Sequence, residues 1–170
     1  MPHFDVEPLP GYREDIGLLL ASLEDSTREW RGEMGEPPIE AITWQIKPGS
    51  YSIGGLLLHI AEVELYWFEE FAAGKTLDPE EMKRLMSDEI KQDEGKWPTP
   101  PAEPISWYYA MHDDIRRRIL ETLKGVDPDC KYDKRSDMST TLRWVLAHVV
   151  EHDSYHGGQA VLLHEVWKQR

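Results

Sequence analysis

The chain has 170 residues, a formal charge of −13 from 32 acidic against 19 basic side chains, and a hydrophobic fraction of 40% that includes seven tryptophans. That is enough apolar material for one core in a single domain, residues 1–170, and it excludes a disordered chain. The acidity argues against nucleic acid or an anionic lipid surface as a partner, and no stretch approaches the roughly 20 apolar residues that span a bilayer.

Met1 to Pro10 mixes acids and prolines with no apolar segment. It does not read as a signal peptide, and a soluble cytoplasmic protein is expected. The first helix is predicted from about Gly11 to Met34, with Tyr12, Ile16, Leu19, Leu20, Leu23 and Trp30 forming a helical stripe. Gly35 and the pair Pro37-Pro38 end it. Residues from Pro38 to Tyr51 read as a loop holding Trp44 and a Lys47-Pro48-Gly49 turn.

A second helix is predicted from Ser52, a good N-cap, to about Gly74. Leu56, His59, Ile60, Val63, Trp67 and Phe71 lie along its apolar stripe, so His59 is on the core side. Asp78 to Gln92 reads as a shorter charged helix, with Asp78 capping and Pro79 in the first helical position. Gly95 to Pro104 is proline-rich and irregular. The third long helix covers about Ile105 to Leu123. Its Arg116-Arg117-Arg118 run follows Asp113-Asp114, which reads as pairing on a helix surface. His112 on the same helix is taken as a structural histidine.

Val126 to Met138 reads as an acidic, turn-like loop. It holds Cys130, the single cysteine, so no internal disulfide can form. Its acidic neighbours disfavour a thiolate, which sets a catalytic thiol aside. The fourth helix is predicted from about Ser139 to Trp167. Gly157-Gly158 interrupts it at a cost of about 1 kcal/mol per glycine, and a close approach by a neighbouring helix or a ligand would explain that cost. No strand-like alternation of useful length is found. Four long helices with one apolar face each predict an all-α four-helix bundle.

The last helix carries His148, His152 and His156 in four-residue steps. Each step returns to nearly the same helix face, so neighbouring imidazoles can share one centre, as in metal-binding H-x-x-x-H helices. From His148 to His156 the accumulated offset is about 80°, too large for all three to bind one ion from a straight helix. The pair is therefore His148 with His152, or His152 with His156. The glycines after His156 leave room and favour the second. Two desolvated imidazoles repel when charged and need partners when neutral, and a divalent cation resolves both problems. His59 is the natural third ligand, weighed against a buried histidine that is simply hydrogen-bonded.

The stretch from His148 to Gln159 resembles the C-terminal signature of the DinB/YfiT-like family. Trp44 and the run from Ser52 through His59 and Glu62 to Trp67 resemble that family's helix-two element. The resemblance covers nearly the whole chain. It implies an up-down-down-up four-helix bundle, often dimeric, with a divalent metal held by His59, His152 and His156. Tyr155 and Gly157 stand where many relatives have His and Arg. The resemblance implies no DNA polymerase.

Three neutral imidazoles leave a divalent ion with an open coordination position, the mark of a catalytic site. Two chemistries follow: hydrolysis by an activated water, or attack by an activated thiolate on an electrophile. Wider relatives resemble transferases and isomerases that use thiols such as bacillithiol or mycothiol. The expectation is a homodimeric, metal-dependent enzyme transferring a small thiol to an electrophile. A metal-dependent hydrolase and a non-catalytic metal-binding stress scaffold or sensor are the alternatives. Imidazole ligands suit zinc, nickel, iron and copper; zinc, nickel or iron is expected. Glu62 and Gln159 are the candidate catalytic residues beside the ligands. Glu62 could orient an imidazole or move a proton, and Gln159 could hydrogen-bond a bound water or tie the helix to a neighbour. Glu151 has the same options, and for both Glu62 and Glu151 a solvated helix-surface carboxylate is the favoured reading, more strongly for Glu151. Trp67, Trp144 and Tyr155 are assigned to core packing. A di-iron carboxylate site would need Glu-x-x-His repeats on two helices, and these are missing.

Overall fold

Nearly all the regular structure is helical, as the apolar spacing predicts. In the computed structural model, which describes residues 5–87, 96–135 and 138–170, α1 spans Glu14–Met34, α2 Ile39–Thr43 and α3 Ile53–Glu64. A π-helical segment, Leu65–Ala72, continues α3 without a break. Then follow α4 (Pro79–Arg84), α5 (Ile105–Leu123), the strands β1 (Lys131–Arg135) and β2 (Met138–Thr141), and α6 (Leu142–Lys168). Residues 1–4, 88–95 and 136–137 of the segments predicted above lie outside the described residues, among them the C-terminal part of the Asp78 to Gln92 helix.

Local chemistry sets the helix starts. Ser52 Oγ accepts from the Gly55 amide at 3.2 Å at the head of α3, and Thr141 Oγ1 accepts from the Trp144 amide at 3.3 Å at the head of α6. Each cap satisfies a backbone donor that has no intrahelical partner. Asp78 Oδ1 does the same for Glu80 at α4, with Pro79 in the first turn.

Four departures from the sequence reading have physical causes. The Pro38 to Tyr51 loop contains the short helix α2, which buries Ala41 and Ile42. The predicted second helix changes to π-helical winding after Glu64. The acidic loop forms an antiparallel pair, β1 with β2, whose register shifts between Tyr132 and Arg135; four or five residues per strand are too few for alternation to stand out. Finally, α6 runs unbroken through Gly157-Gly158.

α6 packs against α1 and α3, and α3 also packs against α5. One core joins them, including Ile16, Leu20 and Leu23 from α1, Leu56 and Ile60 from α3, Ile115 and Ile119 from α5, and Val145 and Val149 from α6. Each such fully buried side chain contributes roughly 1.5–3 kcal/mol relative to exposure. Among the described residues, no helix is long and apolar enough to cross a membrane.

Candidate metal centre

α3 and α6 face each other, and their apolar stripes carry the histidines with them. His59 on α3 meets His152 and His156 on α6. The Nε2 atoms of His59 and His152 are 3.1 Å apart. Ring centroids are 4.8 Å apart for His59–His152, 5.0 Å for His59–His156 and 4.3 Å for His152–His156. One nitrogen from each ring lies within 4.8 Å of the other two, and all three residues are half-buried.

The donor set fits a divalent cation. A tetrahedral ion with metal–nitrogen bonds near 2.0–2.1 Å spaces its ligand atoms about 3.3 Å apart. The observed 3.1 Å between two Nε2 atoms is close to that spacing. Burial, followed by the charges of His156, His59 and His148, pushes His152 down to about 3, against the opposing pull of Glu62. His156 is also lowered, by burial, although its bond to Gln159 opposes the shift. Both rings are therefore neutral near pH 7, with a lone pair to give.

Two of the rings have a polar neighbour on the far side. Gln159 Oε1 lies 2.7 Å from His156 Nδ1. With Oε1 as acceptor, Nδ1 carries the proton and Nε2 is left as the free donor of a lone pair. Glu62 Oε2 lies 3.4 Å from His59 Nδ1, a buried nitrogen that makes no hydrogen bond in this geometry. Glu62 is itself buried at 1% exposure and accepts from Ser87 Oγ at 3.2 Å. Burial removes it from the solvated class. Glu151 is exposed, as read from the sequence.

His148 stands apart from the three. Its ring stacks on Trp144 at 5.0 Å and 9°, and meets Trp67 edge-on at 5.1 Å. Each four-residue step overshoots a full turn by about 40°, so His148 is about 80° from His156 around the helix axis and off the line of the pair.

A second buried group, Glu64 with His112 and Asp153, also brings potential ligand atoms together. Protein donors already occupy it. Arg116 forks onto Glu64, with Nε to Oε2 at 2.7 Å and Nη2 onto Oε1. Arg31 Nη2 lies 2.8 Å from His112 Nδ1. Arginine can only donate, so Nδ1 accepts and His112 Nε2 holds the proton that it gives to Glu64 Oε1 at 2.8 Å. Asp153 accepts from Ser26 Oγ at 2.7 Å, Thr27 Oγ1 at 3.2 Å and Trp30 Nε1 at 3.0 Å. Burial alone would raise Glu64, but Arg116 and His112 outweigh it and bring the group down to about 2. Asp153 goes the other way, raised by burial and by the neighbouring Glu64. This is a buried charge network built on protein donors and acceptors.

A family model described as mycothiol S-transferase matches residues 19–169, which include α3, α6 and all three converging histidines. The chain belongs to the mycothiol S-transferase family. This is a DinB/YfiT-like family, as the helix-two and C-terminal motifs indicated. No curated protein matches the chain.

Within this family member, the two positions that depart from the DinB/YfiT pattern have clear environments. Tyr155 is 64% exposed and edge-on to His156 at 5.0 Å. Gly157 faces the Trp30 indole, where a Cβ would overlap the ring. Two assignments need correction. Trp144, at 42% exposure, and Tyr155 are not core residues; only Trp67 is buried. Arg116 is not on a surface; it is buried on Glu64, while Arg117 and Arg118 do form exposed or half-exposed pairs with Asp114 and with Glu69 and Glu81. The signal for Arg116 was its place beside Ile115 and Ile119 on the α5 stripe, four residues from His112.

Proposed function

We propose that this protein is a divalent-metal-dependent thiol S-transferase, acting as a single domain in which α1, α3, α5 and α6 form an up-down-down-up four-helix bundle. The observation that carries the reading is the convergence of His59, His152 and His156 with Gln159 and Glu62 behind two of the rings. The family description supports a small thiol such as mycothiol as the nucleophile.

In this reading His59, His152 and His156 hold the cation, which is zinc, nickel or iron by ligand type. When bound, such an ion acidifies a thiol in an open coordination position, so that sulfur is a competent nucleophile near neutral pH. Gln159 fixes the tautomer of His156, and Glu62 orients His59 and takes up positive charge that develops on its ring. The three neutral imidazoles would hold the ion without adding negative charge to it. The reaction joins the thiol sulfur to an electrophilic carbon. A leaving group departs with its electron pair, and the thiol proton passes to the medium.

Elemental analysis and thiol panels test this reading together. Stoichiometric metal should be lost in His152→Ala and in His59→Ala, and metal-dependent consumption of an electrophile should require a thiol. Full metal retention in both His152→Ala and His156→Ala would eliminate the site. Turnover of esters or amides without a thiol would move the protein to the hydrolases. Bound metal with no turnover of any kind would leave a metal-binding scaffold.

A further inference from the structure

Two groups of aromatic rings lie near the three histidines. In one, Trp97 meets His59 edge-on at 5.4 Å, and Tyr51 packs edge-on against Trp97 at 4.6 Å. The backbone fixes Trp97 in place. Its amide donates to Gly49 O at 2.8 Å, its carbonyl accepts from Gln45 Nε2 at 3.1 Å, and its ring lies over Gly55, where a Cβ would meet the indole at 3.3 Å. Earlier on α6, Trp144 and His148 lie nearly parallel, 9° apart, with Trp67 edge-on to both at 5.7 and 5.1 Å.

These groups differ in character. Trp67 is buried and is braced by Phe71, four residues on, at 4.9 Å. Both belong to the π-helical segment, a rare winding found often at functional sites. It continues directly from the helix that carries His59 and Glu62. Trp144 is 42% exposed. Trp144, His148 and His152 follow one another at four-residue steps along α6, so the Trp144–His148 ledge begins one turn before the first α6 histidine of the cluster. A large exposed indole, stacked and backed by a buried one, is a poor solvent surface and a good platform for a planar ring. A formal charge of −13 repels anionic substrates.

We propose that the Trp144–His148 ledge is the electrophile subsite, and that the substrate which accepts the thiol is a flat, uncharged aromatic molecule lying against it. This rests on the thiol-transfer reading for its chemistry, though not for its binding geometry. Trp144 is then a specificity-determining residue, while the histidines and the ion set the rate.

The test begins without a thiol. Zinc-loaded wild-type protein is titrated calorimetrically with 1,3-dinitrobenzene, an unreactive planar probe, beside Trp144→Ala and Trp144→Phe. Trp144 is half exposed, so both variants should keep wild-type helix content and bound zinc. Wild type should bind the arene, Trp144→Ala at least about tenfold more weakly, and Trp144→Phe within about threefold of wild type. In turnover with a thiol, Trp144→Ala should raise KM for 1-chloro-2,4-dinitrobenzene with kcat retained, and raise it more than KM for the non-aromatic iodoacetamide. Equal arene binding by wild type and Trp144→Ala, or none by wild type, overturns the subsite. A change of oligomeric state in Trp144→Ala with unaltered arene affinity overturns it too, and assigns the ledge to self-association. Arene binding that depends on Trp144, without thiol turnover, upholds the subsite and rejects the thiol reading alone.

Discussion

Gln159 Oε1 and His156 Nδ1 are 2.7 Å apart on successive turns of α6. The amide oxygen is committed to the ring, so Gln159 acts on the site through the orientation of His156. Gln159→Leu removes the acceptor and frees the imidazole to flip. Metal affinity should fall about 10–100-fold, the range found for lost outer partners of metal-binding histidines. Competition with a chromophoric chelator measures it, and Gln159→Glu, which keeps an acceptor oxygen, should hold affinity near wild type.

The two adjacent glycines of α6 should respond in opposite directions. A Cβ on Gly157 would overlap Trp30, whereas one on Gly158 meets nothing within 4 Å. Gly157→Ala should therefore destabilise the fold by about 1–3 kcal/mol through overpacking. Gly158→Ala should stabilise it by up to about 1 kcal/mol, because alanine is the better helix former. Chemical denaturation of both variants checks this, and equal effects would contradict the packing described.

Glu64 should make stability pH-dependent in acid. Its folded carboxyl lies at about 2 against an ordinary value of 4.5. A depressed acid stabilises the fold above its unfolded value, and that contribution is lost as pH falls from about 4.5 towards 2. Asp153, raised in the folded state, opposes this and flattens the curve. Glu64→Gln removes the closest anion from buried Arg116, leaving only Asp153 at 4.0 Å, and should cost about 3–5 kcal/mol at neutral pH. The variant should also lose the Glu64 component of the acid slope. Denaturant midpoints between pH 2 and pH 7 give both quantities.

The helix caps give a smaller prediction. Thr141→Ala frees the Trp144 amide at the head of α6 and should lower stability by about 1 kcal/mol. Because Trp144 belongs to the proposed ledge, Thr141→Val, which keeps the branched shape without the hydroxyl, separates the loss of the cap from the loss of packing. Thermal melts of the two variants should coincide.

Much of the helical layout was legible because long apolar stripes with a period near 3.6 leave few alternatives. His59, His152 and His156 were legible for the same reason: each lies on a stripe, and stripes meet. Spacing carries no information about azimuth at finer resolution. Glu62 and Glu64 look alike in the sequence, yet one sits beside His59 and the other is forked by Arg116. Trp144 and Trp67 are both large and apolar, but one is half exposed and the other buried. The π-helical segment shifts the facing of everything after Glu64, and no local residue preference announces it. The cost of Gly157-Gly158 was read correctly as a demand for close approach, but only Gly157 meets it.

Glu62 and Glu64 are two residues apart on one α-helix, so they point about 200° apart around its axis. α3 is therefore an axle gripped from both sides, by Ser87 at Glu62 and by Arg116 with His112 at Glu64. Any roll of this axle that re-aims His59 must first drag Glu64 out of its fork. The bearing angle of one imidazole is thus held by charges on the opposite side of the rod, and loosening that grip should blunt the centre without touching any residue in it.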